Sequence, residues 1–137
     1  MEKFPVNSLT PKHAVISRMP DGSMSIEILM TPFLWNQEIV DTSIRLDGVD
    51  LPSDMLKDLA GKSFKFPTNS EDGYIDGSIY LGNAHHPVDV TSLDFNVSRT
   101  GSLKLIIKGI YQFEFEGLDG VANTPFVLAA SVSSCAV

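Results

Sequence analysis

The clearest signal in the chain is an alternation of apolar and polar residues from Gly73 to Val132. Ile75, Gly77, Ile79 and Leu81 fall on one side of an extended chain, and Tyr74, Asp76, Ser78 and Tyr80 on the other. That period of two marks a half-buried strand. The segment Gly82–Pro87 reads as the turn. Val88 and Val90 then restart the pattern, and Leu93, Phe95 and Val97 continue it one residue out of phase. A one-residue slip would send the later set to solvent, so a β-bulge is expected near Thr91-Ser92. This register pairs Leu81 with Val88, Ile79 with Val90, Gly77 with Leu93 and Ile75 with Phe95.

A second turn over Ser98–Ser102 pairs Val97 with Leu103, Phe95 with Leu105 and Leu93 with Ile107. The third strand is expected to run from Leu103 to Glu116, with Leu105, Ile107, Gly109, Tyr111, Phe113 and Phe115 inward. A last strand, Pro125–Val132, then sets Phe126 against Phe115, Leu128 against Phe113 and Ala130 against Tyr111. Cross-strand aromatic and β-branched pairs of this kind contribute roughly 0.2–1 kcal/mol each.

Upstream, Met1–Lys12 is polar and carries Pro5 and Pro11, which predicts an arm across the domain. His13–Arg18 and Ser23–Thr31 form a hairpin about Pro20-Asp21-Gly22, a turn whose glycine suits a left-handed position. Its register sets Ile16 against Ile26 and Ala14 against Ile28, with Met24, Ile26, Ile28 and Met30 inward. Phe33-Leu34-Trp35 follows a break at Thr31-Pro32. Glu38–Leu46 reads as one or two short strands. Ser53 is an expected N-cap for a short helix through Leu59 that stops at Gly61, and Ser63–Phe66 reads as a strand. The sum is one all-β domain over residues 1–137. The expected architecture is an antiparallel two-sheet β-sandwich with one short helix on a connection, and the alternative is a partly open β-barrel.

Composition narrows the function more than the fold. Seventeen acidic residues against ten basic ones give a formal charge of −7. Such a surface repels phosphate backbones, and no basic cluster offsets it, so a nucleic-acid partner is not expected. It suits a basic protein partner. A single cysteine, Cys135, excludes a disulfide framework within the chain. There is no signal-peptide pattern at the N-terminus and no apolar run of membrane-spanning length, which points to a cytoplasmic protein and no membrane partner.

The residues carrying chemistry are sparse. His85 and His86 are adjacent, so extended backbone directs them to opposite faces and they are badly placed to share a metal. No zinc, calcium-loop, phosphate-loop or nucleophile-elbow pattern is present. Gly117–Gly120 reads as a plain loop. No catalytic residue, metal site or cofactor is therefore expected. Tyr74, Asp76, Tyr80, His85, His86 and Asp89 gather around one hairpin and are the candidate partner-binding residues. Ile106 and Ile110 stand on the outward face of the long strand among Lys104, Lys108, Gln112 and Glu114, and offer a face for a homo-oligomer.

At Gly73–Leu81, His86–Val90 and Phe113–Gly117 the chain resembles small uncharacterised bacterial all-β proteins, some of which look like immunity proteins of bacterial toxin systems. The resemblance covers roughly the C-terminal half and carries no catalytic motif. It implies a non-enzymatic protein-binding module that neutralises a toxin. A small-ligand-binding β-barrel or minor enzyme and a structural homo-oligomer subunit are the alternatives.

Overall fold

A computed structural model of the chain describes residues 4–118 and 121–136. In it the strands are β1 (Pro11–Arg18), β2 (Met24–Met30), β3 (Phe33–Trp35), β4 (Glu38–Val40), β5 (Ser43–Val49), β6 (Ser63–Lys65), β7 (Asp76–Leu81), β8 (Ala84–Val97), β9 (Leu103–Tyr111) and β10 (Thr124–Ser134). One helical turn, α1 (Leu56–Leu59), lies between β5 and β6. The order β8-β7-β5-β2-β1-β10-β9 returns to β8, closing a seven-stranded barrel. Strand β6 adds to the lower part of β8, and β3 and β4 form a separate two-stranded hairpin. The expected two-sheet sandwich is thus not formed, and the alternative reading, a barrel, is the one observed, with its sheet closed.

The closing pair explains the difference. Strand β1 lies beside β10 with Ala14 opposite Val132 and Ile16 opposite Ser134, and this pairing is parallel where the other pairings are antiparallel. It joins residues from opposite ends of the chain, so no local alternation reports it. The bulge helps the sheet curl. Val90 faces Gly109 and Ser92 faces Lys108, leaving Thr91 as the extra residue, and a bulge bends its strand and increases local twist.

The meander β7–β8–β9–β10 is present, as is the β8–β9 register through Phe95↔Leu105 and Leu93↔Ile107. The first hairpin also pairs Ile16 with Ile26 and Ala14 with Ile28, as expected. Two other registers are corrected. Strand β8 begins at Ala84, so Leu81 faces Ala84, Ile79 faces His86 and Gly77 faces Val88. The loop is two residues long, Gly82-Asn83, and Gly82 has φ +61°. Glycine at the first position of a two-residue hairpin loop is the favoured tight connection, and it draws His85-His86-Pro87 out of the expected turn into the strand.

Strand β9 ends at Tyr111, not Glu116. Phe113 then starts a tight turn in which its carbonyl accepts from the Gly117 and Leu118 amides at 3.1 and 3.2 Å, with Gly117 at φ +71°. This leaves Phe115 outside, 77% exposed. Strand β10 therefore pairs Phe126 with Gly109, Leu128 with Ile107 and Ala130 with Leu105. The displacement is an even number of residues, so Leu128 and Ala130 still point inward. Of the expected loop Gly117–Gly120, Asp119 and Gly120 lie outside the described residues.

Ile16, Ile26, Ile28, Ile44, Leu46, Ile79, Leu93, Phe95, Leu105 and Ile107 are fully buried in the core. An eight-stranded barrel has an interior just wide enough for side chains to fill, and seven strands enclose less. The two glycines that face inward permit the close approach of strands. A Cβ on Gly77 would stand 2.4 Å from the Val88 carbonyl oxygen, and one on Gly109 would stand 2.2 Å from that of Asp89.

The N-terminal arm closes one end of the barrel. Phe4 is 2% exposed and packs edge-on against Phe33, Trp35 and Phe113, with centroids 5.8, 4.9 and 5.7 Å away. Burying a phenylalanine contributes about 2–3 kcal/mol. Period two orders the β3 segment: Phe33 is buried, Leu34 exposed and Trp35 half-buried. At α1, Ser53 caps less than expected. Its Oγ accepts from the Met55 amide at 3.0 Å, one step ahead of the single helical turn. No described helix is long and apolar enough to cross a membrane.

Candidate functional site

The outer face of β5, β7 and β8 carries a cleft of about 450 Å³ beneath the loop that leads into β7. Period two builds its floor. Arg45 and Asp47 point outward from β5, Asp76 from β7, and His85 and Asp89 from β8, because their neighbours Ile44, Leu46, Gly77, His86 and Val88 point in. Tyr74, just ahead of β7, supplies an aromatic wall. The corrected β7–β8 register makes this possible, since it sets His85 and Asp89 beside β7 instead of placing His85 at a loop tip.

Four of the six candidate residues, Tyr74, Asp76, His85 and Asp89, thus line one cleft. Tyr80 borders it. It is the direct cross-strand partner of His85, with the two rings edge-on and their centroids 4.6 Å apart. His86 goes the other way. It is 1% exposed, both ring nitrogens lack a hydrogen-bond partner, and desolvation lowers its pKa, opposed by the field of Glu116 and aided by that of His85. We therefore leave His86 out of the outward-facing surface. Ile106 and Ile110 lie on the outer face of β9 and are half-buried.

Two of the cleft's carboxylates are positioned by neutral donors. Asp47 accepts from the Ser25 hydroxyl at 2.9 Å, and Asp89 from the Gln112 side-chain amide at 2.8 Å. Arg45 Nε lies 3.2 Å from Asp47 Oδ1 with both side chains well exposed, and such a pair contributes about 0–1 kcal/mol. Asp47 and Asp76 are also direct cross-strand partners, and like charges placed so repel. The cleft gathers three carboxylates against one guanidinium, which leaves its lining negatively charged. Among the described residues no group of three His, Cys, Asp or Glu side chains is arranged to hold a metal ion.

Sequence reasoning missed Arg45 and Asp47, although their alternation with Ile44 and Leu46 was available to place both outward. It also missed His13. That imidazole lies with Nδ1 2.7 Å from Ser131 Oγ and Nε2 2.8 Å from Ser133 Oγ. It thereby links β1 to β10, a contact visible only once the barrel is closed. Compared with family models, curated proteins and solved structures, the chain gives no match.

Proposed function

We propose that this protein is a non-enzymatic binding module whose acidic outer cleft receives a lysine or arginine side chain of a basic protein partner. The observation that carries this is the convergence of Asp47, Asp76 and Asp89 on one open cleft walled by Tyr74 and His85. Carboxylates supply Coulomb attraction, and an aromatic face beside them adds a cation–π contribution of about 0.5–1 kcal/mol at an exposed site. The overall charge of −7 steers such a partner toward the surface. A toxin whose basic site is blocked on binding, met in the cytoplasm, is the form of partner this reading favours. The packing of the barrel supports a role for the outer surface over an internal ligand.

The test is affinity capture with the full chain, followed by titration of the recovered partner against wild type and the double variant D76N/D89N. We expect one-to-one binding that weakens as salt rises, and at least a tenfold loss in the variant. A partner held equally by both proteins, with the same salt dependence, would overturn the proposal. A homo-oligomer through the Ile106/Ile110 face is the second reading, favoured by the exposed Val127 on the adjoining strand. A monomer at two well-separated concentrations in sedimentation would exclude it.

A further inference from the structure

The parallel seam that closes the barrel is short. Strand β10 has eleven residues, but its ladder to β1 engages only Val132, Ser133 and Ser134. On its other side, Thr124–Ser131 are paired with β9. Backbone direction alternates along a strand, so one parity of β10 serves β9 and the other faces β1. Two observations fix which. The Cys135 amide donates to the Ile16 carbonyl at 2.9 Å, and Pro125, which has no amide proton, is accommodated within the β9 pairing. Val127, Ala129 and Ser131 share that parity, so their amides point to the β1 side, where the ladder to β1 pairs neither Val127 nor Ala129.

The chain opposite does not fill the gap. Its amides are engaged within the arm, Ser8 to the Pro5 carbonyl at 2.9 Å and Leu9 to that of Val6 at 3.1 Å. A cleft of about 350 Å³ remains between this arm and β10. On its wall lies Tyr111, whose buried hydroxyl has no hydrogen-bond partner. Proteins usually guard an open strand edge with charge or proline. Strand β10 carries no charged side chain, and only Pro125 guards it. Val127 is 66% exposed.

We infer that this open edge of β10 is a second interaction site, which binds an extended, largely uncharged segment of a partner protein as an added strand. The edge dictates the occupant. A row of main-chain donors and acceptors at strand spacing is complementary to another extended main chain, and the uncharged side chains flanking it favour an uncharged segment. This inference goes beyond the acidic cleft, which lies on other strands and reads a side chain instead of a backbone.

The experiment selects random twelve-residue peptides displayed on phage against the wild-type protein, and tests the enriched peptides on V127P and A129K. V127P removes a free amide and spares the β9 ladder. A129K sets a charge on the edge without touching the backbone. We expect enriched peptides to bind one-to-one, to slow hydrogen exchange at Val127 and Ala129 at least tenfold, and to bind both variants at least tenfold more weakly. D76N/D89N should bind them as wild type does, which separates failure here from failure of the cleft proposal. If no peptide is enriched, or the peptides bind A129K as tightly as wild type or protect other amides, the inference falls. Self-association of the wild type that A129K abolishes would make a second copy the occupant and overturn the assignment to a partner protein.

Discussion

The imidazole of His86 stands edge-on to the ring of Phe113, with centroids 5.7 Å apart and planes at 81°. Phe113 in turn stacks on Tyr111 at 5.0 Å and meets Phe4 at 5.7 Å. His86 therefore sits in an aromatic layer that offers no partner to either ring nitrogen, and its charged form is disfavoured there.

The consequence for stability follows from linkage. The pKa of His86 is lowered in the folded protein from its ordinary 6.5, so below that pH the unfolded chain binds the proton more readily. The contribution is full above pH 6.5 and is lost as pH falls, at up to about 1.4 kcal/mol per pH unit for one proton. Denaturant midpoints measured from pH 8 to pH 5 should fall for wild type. The fall should be shallower for H86F, which carries no titrating ring at that position.

Gly109 and Gly77 should resist substitution for steric reasons. At Gly109 an added Cβ would lie 2.2 Å from the Asp89 carbonyl oxygen and 2.9 Å from the Phe126 ring. The carbonyl belongs to the strand pairing beside the bulge and is poorly free to move. G109A and G77A are expected to destabilise by about 2–3 kcal/mol each, measured by chemical denaturation. A cost below 0.5 kcal/mol would show that the strands separate easily at these points.

Phe4 tests whether the arm belongs to the core. F4A should cost about 3–4 kcal/mol. It should also shift the fluorescence of Trp35, the chain's one tryptophan, to longer wavelength as water reaches a ring now 4.9 Å from Phe4. Unchanged emission would mean that the arm leaves Trp35 as it was.

Removing Arg45 should separate stability from binding. Its ion pair with Asp47 is exposed, so R45A is expected to change stability by less than about 0.5 kcal/mol. It also deletes the cleft's cation, so a basic partner should bind a few-fold more tightly. Weaker binding in titration calorimetry would mean that Arg45 itself contacts the partner.

His13 should matter at the seam. Its two contacts with Ser131 and Ser133 span β1 and β10 where the backbone ladder is short. H13A is expected to cost about 1–2 kcal/mol, roughly the net contribution of two hydrogen bonds, and to speed exchange of the seam amides. An unchanged exchange pattern would show that the backbone ladder alone holds the barrel shut.

The sequence by itself determined which residues point inward along the meander, because a half-buried strand writes its burial as period two. Ile75 to Leu81, Leu93 to Phe95 and Leu105 to Tyr111 carry that record. It also placed the bulge, since the change of phase between Val90 and Leu93 has no other economical explanation. It brought out Tyr74, Asp76, His85 and Asp89 as the polar group of one region. Tertiary structure decided what even displacements conceal. A register moved by an even number of residues leaves every side chain on its face, so alternation could not distinguish Leu128 opposite Phe113 from Leu128 opposite Ile107. The choice between sandwich and barrel rested on Ala14 meeting Val132, a contact between chain ends that leaves no mark on local patterning. The cleft likewise required β5 beside β7, which brings Asp47 to Asp76. His86 went to the interior because the two-residue loop at Gly82-Asn83 put it in a strand, on the face opposite to His85.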